Sequence, residues 1–155
     1  MEEYKMKEYK MEKEDKGVVK ALSKQEIETI ERFYAAWKLK KPEVLDEVCM
    51  PDWKDIPLAP QQEDNPKGLQ AIMKFLFELC PDIEIVIHEI FGSHERAAVR
   101  ASMQFTHVNE IMGIAPTNRK VTIALHEFHY LKNGKLTHTW HLEDWFGLLM
   151  QSKEK

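Results

Sequence analysis

The sequence predicts an α+β fold, a curved antiparallel sheet wrapped around N-terminal helices to form a cone with an internal pocket. Three observations point there. Helical periodicity dominates the first half of the chain, alternating periodicity dominates the second, and Asn133-Gly134 is a two-residue turn signal between the last two strands. Helices followed by a run of antiparallel strands pack as two layers, and a curved sheet closing over a helix leaves an open end that accepts a small molecule.

The elements follow in order. Residues 1 to 20 alternate Lys and Glu with few aliphatic side chains and read as a charged flexible leader, leaving 21 to 155 as a single domain. Ser23-Lys24-Gln25-Glu26 has capping-box spacing, and Ile27, Ile30, Tyr34 and Trp37 then fall on one helical stripe. Pro42 suits the first turn of a short second helix that carries Val44, Leu45 and Val48 inward. The prolines between Pro51 and Pro60 allow at most a short strand around Trp53 to Asp55. Pro66 and Gly68 precede a third helix with Leu69, Ile72, Met73, Leu76 and Leu79 spaced for burial, and Pro81 stops it.

From Ile83 the period becomes two. Ile83, Ile85 and Ile87 share one strand face, and Val99, Ala101, Met103 and Phe105 share one face of a second strand over Arg96 to His107. Val121 to Leu131 and Leu136 to Glu143 form the closing hairpin.

Composition narrows the function. The 155 residues are 43% hydrophobic and 31% charged, without an apolar run of membrane-spanning length. The N-terminus is charged throughout, unlike a signal peptide, which leads us to expect a soluble cytoplasmic protein. A net charge of -4 and a pI near 6.0 disfavour non-specific nucleic-acid binding, which requires a basic face, and favour a small or uncharged partner. Cys49 and Cys80 are too few for a disulfide framework, are spaced unlike a zinc site and sit in apolar stretches where they pack.

One carboxylate stands out. Asp144 lies where the last strand ends, within the apolar run Trp140 to Gln151, and a carboxyl beside Trp and Leu can be held near the pKa that proton transfer needs. Its structural alternative is a helix or turn cap. Seven histidines suggest metal, but His126-Glu127-Phe128-His129 and His138-Thr139-Trp140-His141 lie on strands, where residues three apart face opposite ways and cannot chelate as a pair. No metal is expected.

The hairpin register decides which histidine joins Asp144. A two-residue Asn133-Gly134 turn places His129 opposite His138 and Glu127 opposite Trp140, while a three-residue turn with a glycine bulge makes His126 the partner of Trp140. Both remain open. The chain has no G-x-S-x-G elbow, P-loop or dinucleotide fingerprint, so covalent serine chemistry and nucleotide cofactors lose weight.

With these residues in view the chain resembles the SnoaL-like polyketide cyclase (ester cyclase) family over Ile27 to Gln151. Phe33-Tyr34-Ala35-Ala36-Trp37 is similar to the family's first helix and Pro51-Asp52-Trp53-Lys54-Asp55 to its short aspartate-aromatic strand. Pro81-Asp82-Ile83, Ala98-Val99-Arg100, Thr106-His107 with Met112 to Thr117, and Asn133-Gly134-Lys135, Trp140, Asp144 and Gly147 to Gln151 follow in the family's order. The chain departs from the pattern at Asn118, where glycine is usual, at His138, where an acidic residue is common, and at Ile56, where histidine is common.

The resemblance implies the cone-shaped fold shared with ketosteroid isomerase and scytalone dehydratase, commonly dimeric through the outer sheet face. It also implies an intramolecular aldol condensation without metal or cofactor, in which the aspartate matching Asp144 is the acid/base. We therefore expect Asp144 to move a proton, His129 or His126 to hydrogen-bond the developing oxyanion, and Trp140, Trp53 and Tyr34 to shape the pocket, with Asp55, His107 and His138 as further substrate contacts. The expected substrate is a small hydrophobic carbonyl compound and the expected assembly a homodimer. A non-catalytic small-molecule-binding protein of the same fold is the alternative.

Overall fold

The computed structural model describes residues 20–154. The leader expected over residues 1 to 20, Lys20 apart, lies outside the described residues. Helix α1, Lys24–Leu39, starts where the capping box places it: Ser23 Oγ accepts from the Glu26 amide at 3.2 Å and the Glu26 carboxylate accepts from the Ser23 amide at 2.6 Å. Its inner stripe buries Ile30, Phe33, Tyr34, Ala36 and Trp37. Lys40, in the left-handed conformation, ends it with an amide hydrogen bond back to the last turn. A 3-10 turn over Pro42–Val44 leads into α2, Leu45–Val48, which buries Leu45 and Val48.

Strand β1 runs over Cys49–Ile56, longer than the prolines suggested. It tolerates Pro51 because it is an edge strand and its ladder is interrupted between Cys49 and Lys54, where a missing N–H costs nothing. Helix α3, Pro66–Leu79, is capped by Asn65, whose side chain accepts from the amides of Lys67 and Gly68, and it presents Met73 to the core. Strands β2, Glu84–Ser93, β3, Arg96–Thr106, β4, Lys120–Lys132, and β5, Lys135–Glu143, pair in antiparallel succession, and α4, Trp145–Lys153, ends the domain.

The five strands form one sheet in the order β1-β5-β4-β3-β2. It is mixed rather than wholly antiparallel, since β1 lies parallel to β5. The chain crosses from one edge, β1, to the other, β2, through α3, a connection that leaves α1 and α3 on the same concave face. Alternation along β4 is complete: Val121, Ile123, Leu125, Glu127, His129 and Leu131 point inward and the intervening residues outward. No described helix is long and apolar enough to cross a membrane.

The hairpin carries the main departure from expectation. Asn133 and Gly134 both have positive φ, 50° and 75°, as the predicted two-residue turn requires, and Lys132 faces Lys135. One step further, however, Leu131 pairs with Leu136 but Tyr130 pairs with His138, so Thr137 is an extra residue bulged out of β5. The bulge places Trp140 opposite Phe128, not opposite Glu127 or His126. It turns Thr139, His141 and Glu143 toward the interior.

Candidate functional site

A cavity of about 390 Å³ opens between α1, α3 and the concave face of the sheet, a volume suited to a small organic ligand. Most of its wall is apolar, with Phe33 and Trp37 from α1, Leu69, Ile72 and Leu76 from α3, and Met103 and Leu125 from the sheet. Ile111, Met112 and Trp145 border it from the loop after β3 and from α4. The polar groups come chiefly from the sheet: Asp55 on β1, Glu127 on β4, and Thr139, His141 and Glu143 on β5, joined by Gln62 from the β1–α3 loop.

Two networks order this polar wall. In the first, His141 Nδ1 donates to Glu143 Oε1 at 2.7 Å and Nε2 donates to the Pro57 carbonyl at 2.8 Å, with Asp55 Oδ1 at 3.5 Å. Gln62 Nε2 donates to the other Asp55 oxygen at 2.7 Å. Burial alone would depress the imidazole, but the hydrogen bond and charge of Glu143, the charge of Asp55 and the Pro57 carbonyl outweigh it and raise His141 to about 9. His141 is therefore an imidazolium at neutral pH. Burial also raises Asp55 above the usual carboxylate range, against the opposing pull of His141 and Gln62.

The second network lies behind the wall. Tyr34 Oη donates to Glu127 Oε2 in a short hydrogen bond and lies 2.7 Å from His129 Nε2. His129 Nδ1 is 2.9 Å from Thr139 Oγ1, which accepts from Trp53 Nε1 at 3.0 Å. Burial raises Glu127 to about 8, only partly offset by the Tyr34 hydrogen bond, so its carboxyl is mostly neutral at pH 7. Burial lowers His129 to about 3, and raises the Tyr34 phenol well above its ordinary range with the Glu127 charge adding to it. The 3.4 Å approach of His129 to Glu127 is thus a contact between neutral groups, not an ion pair.

The model of the SnoaL-like polyketide cyclase family matches residues 27–152. The chain belongs to that family. No curated protein matches it. Among solved structures it is similar to IdmH from Streptomyces antibioticus, described as a candidate polyketide cyclase, with 23% identity over 82% of this chain and 97% of IdmH and a TM-score of 0.74. TsrD from Streptomyces laurentii is similar at 21% identity, covering 85% of this chain and 98% of its own, with a TM-score of 0.75. AclR from Streptomyces galilaeus, described as a candidate hydroxylase, gives 22% identity, 83% and 95% coverage and a TM-score of 0.69. At these identities the likeness establishes the shared SnoaL fold.

On this SnoaL-like scaffold the residues singled out in the sequence separate into three groups. Asp55 lines the cavity. Tyr34, Trp53 and His129 are buried immediately behind it and form the second network. The others are elsewhere. Asp144 is exposed and outside the cavity lining, where its carboxylate accepts from the Gly147 amide at 2.9 Å and caps α4. His126 is exposed on the outer face of β4, opposite Leu142. His138 and Trp140 stack on the outer face with ring centroids 5.5 Å apart, because the Thr137 bulge reverses the facing expected for them. His107 is buried beyond the end of β3, 3.3 Å from Thr117 Oγ1, and does not line the cavity.

Glu127, Thr139, His141, Glu143 and Gln62 were not singled out from sequence as site residues. Leu136, Trp140 and Leu142 alternate with Thr137, Thr139, His141 and Glu143, a pattern that points the apolar set inward, and the Thr137 bulge reverses that facing for every residue beyond it. The signal for Glu127 was present, since it lies in register with Leu125 and Leu131 on a strictly alternating strand, which makes an inward carboxylate legible. Among the described residues no three His, Cys, Asp or Glu side chains are grouped as metal ligands. Cys49 and Cys80 are buried, and burial raises both thiols, Cys80 to about 11.

Proposed function

We propose that this SnoaL-like protein is a cyclase-type enzyme that carries out acid/base chemistry on a small hydrophobic carbonyl compound. One observation carries the reading: an otherwise apolar cavity, with Glu110 at its loop border, gathers Asp55, Glu127, His141 and Glu143 on one wall and drives the ionisation of two of them apart, with Glu127 held neutral and His141 held charged. Asp55, next to that imidazolium, is the base, and Glu127 is the donor that meets the developing oxygen charge. His141 holds Asp55 and Glu143 in place, and its charge opposes the burial that raises the Asp55 carboxyl.

The electron count is simple. Asp55 removes a proton from the carbon beside a carbonyl, the C–H electron pair becomes the enolate, and Glu127 hydrogen-bonds the enolate oxygen. In an aldol closure that carbon attacks a second carbonyl of the same molecule. The new C–C bond forms, and the second oxygen takes the proton that Asp55 had acquired. The apolar walls fold the two ends together and exclude water. The exposed apolar outer face, including Phe128 and Leu142, supports a homodimer formed through that surface.

The test is α-proton exchange. A panel of medium-chain ketones and diketones is incubated with the protein in D2O and followed by NMR. Exchange above the buffer rate that is lost in Glu127→Leu, which removes the donor, supports the reading. Absence of acceleration for the whole panel, or equal acceleration by the variant, rejects it. Binding of the ketones without exchange would favour the non-catalytic ligand carrier.

A further inference from the structure

We infer that Tyr34, His129, Thr139 and Trp53 form a one-way chain of hydrogen bonds that places the Glu127 proton on its cavity-facing oxygen, making Tyr34 and His129 positioning residues for the donor. The inference deepens the proposed acid/base reading and rests on it for its catalytic meaning, although the proton arrangement stands independently.

The direction of the chain follows from donor inventory. The Trp53 indole N–H can only donate, so Thr139 Oγ1 accepts from it at 3.0 Å. The Thr139 hydroxyl then has one hydrogen to place, and its other partner among the described residues is His129 Nδ1 at 2.9 Å. His129 Nδ1 is therefore an acceptor, which in a neutral ring puts the hydrogen on Nε2. That Nε2–H donates to Tyr34 Oη at 2.7 Å. The phenol spends its single hydrogen on Glu127 Oε2. Every hydrogen in the chain is used once.

The consequence falls on Glu127. Its Oε2 already accepts from Tyr34, so when the carboxyl is neutral its own proton sits on Oε1. That oxygen has no hydrogen-bond partner among the described residues and is not sealed from the cavity Glu127 lines. Running the chain backwards would leave the buried Thr139 hydroxyl hydrogen without an acceptor and would turn the Glu127 proton toward Tyr34, away from the ligand space. The groups facing Glu127 are Tyr34 from α1, His129 on its own strand, His141 and Glu143 from β5, and Asp55 from β1. Of these, Tyr34 donates directly to the carboxyl.

The measurement is NMR on the full chain, with 13C-labelled glutamate side chains and 15N-labelled histidine, and Glu127→Gln to assign the carboxyl. At pH 6 the Glu127 carbon is expected at a neutral-acid shift and His129 as the Nε2–H tautomer. In Tyr34→Phe, losing the donor to the carboxylate is expected to raise the Glu127 midpoint by roughly one pH unit. An ionised Glu127 at pH 6, a His129 proton on Nδ1, or an unmoved midpoint in Tyr34→Phe overturns the inference. The wild-type tautomer alone decides the chain direction should that variant not fold. No substrate is involved, so a protein with this proton arrangement and no ketone exchange would refute the proposed function and leave the chain intact.

Discussion

Glu127 on β4 and His141 on β5 are direct cross-strand partners, and each holds the charge state opposite to its behaviour in water at neutral pH. The carboxyl is neutral because burial penalises its anion. The imidazole is charged because Glu143 and Asp55 repay its burial. The pairing itself depends on Thr137: without that bulge Glu127 would face Trp140 and the imidazolium would lie on the outer surface.

This pairing sets the pH dependence of stability. Glu127 titrates near 8 in the fold against an ordinary 4.5, and His141 near 9 against 6.5. Between those limits the folded state binds more protons than the unfolded chain, so both contributions are lost as pH rises, Glu127 across about 4.5 to 8 and His141 across about 6.5 to 9. His129 acts in the opposite sense. Lowered to about 3 from 6.5, it is neutral in the fold while the unfolded chain takes up its proton, so stability falls as pH drops through that interval. Thermal unfolding should show the melting temperature declining from pH 7 to 9, with a shallower decline in His141→Gln. A melting temperature that rises over that range would contradict the assignment.

Asp144 should prove to be a stability residue. Replacing the cap in Asp144→Ala is expected to cost about 1 kcal/mol, read by chemical denaturation, because the Gly147 amide at the start of α4 keeps only the Asp144 backbone carbonyl and loses the side-chain acceptor. Ligand affinity in the cavity should not change. A loss of ligand affinity with unchanged stability would return Asp144 to the site.

Thr139→Val removes the hydroxyl shared by Trp53 and His129 and leaves two buried nitrogens without their partner. The expected cost is roughly 2 kcal/mol, beyond that of a volume-neutral exchange, and the tryptophan emission of the protein should shift. Unchanged stability would show that the buried network is not closed as described.

The sequence and the structure agree where local chemistry is strong enough to act alone. The Ser23 to Glu26 box starts α1, Pro66 marks the start of α3, and the alternation from Val121 to Leu131 fixes which way Glu127 and His129 point. The ordered motifs that mark the family span the same region as the matched residues 27–152. The site was less legible because it depends on register. One bulged residue, Thr137, exchanges the facing of every β5 side chain beyond it, and nothing in Lys135 to Glu143 marks the bulge by pattern. Asp144 was drawn toward the site by its apolar neighbours, but its carboxylate caps the Gly147 amide at the start of α4. Pro51 pointed to a shorter β1 than forms, because its tolerance depends on the strand's being at an edge.

The outer sheet face supplies a further prediction. Phe128 and Leu142 are 60% and 73% exposed on neighbouring strands, and Tyr130 and Trp140 add aromatic surface beside them. Sedimentation should give a dimer for the wild-type protein and a monomer for the double variant Phe128→Lys, Leu142→Lys, with the cavity's ligand affinity retained in the monomer. A monomeric wild-type protein would remove the dimer from the account.

The comparison of Asp55→Asn with Asp144→Asn in the D2O exchange assay tests the central claim most directly. Proton transfer on the cavity wall predicts that Asp55→Asn lowers exchange to the buffer rate while Asp144→Asn keeps the wild-type rate at a temperature where both are folded. Retained exchange in Asp55→Asn, or its loss only in Asp144→Asn, would contradict the claim that the acid/base chemistry resides on the wall formed by β1, β4 and β5.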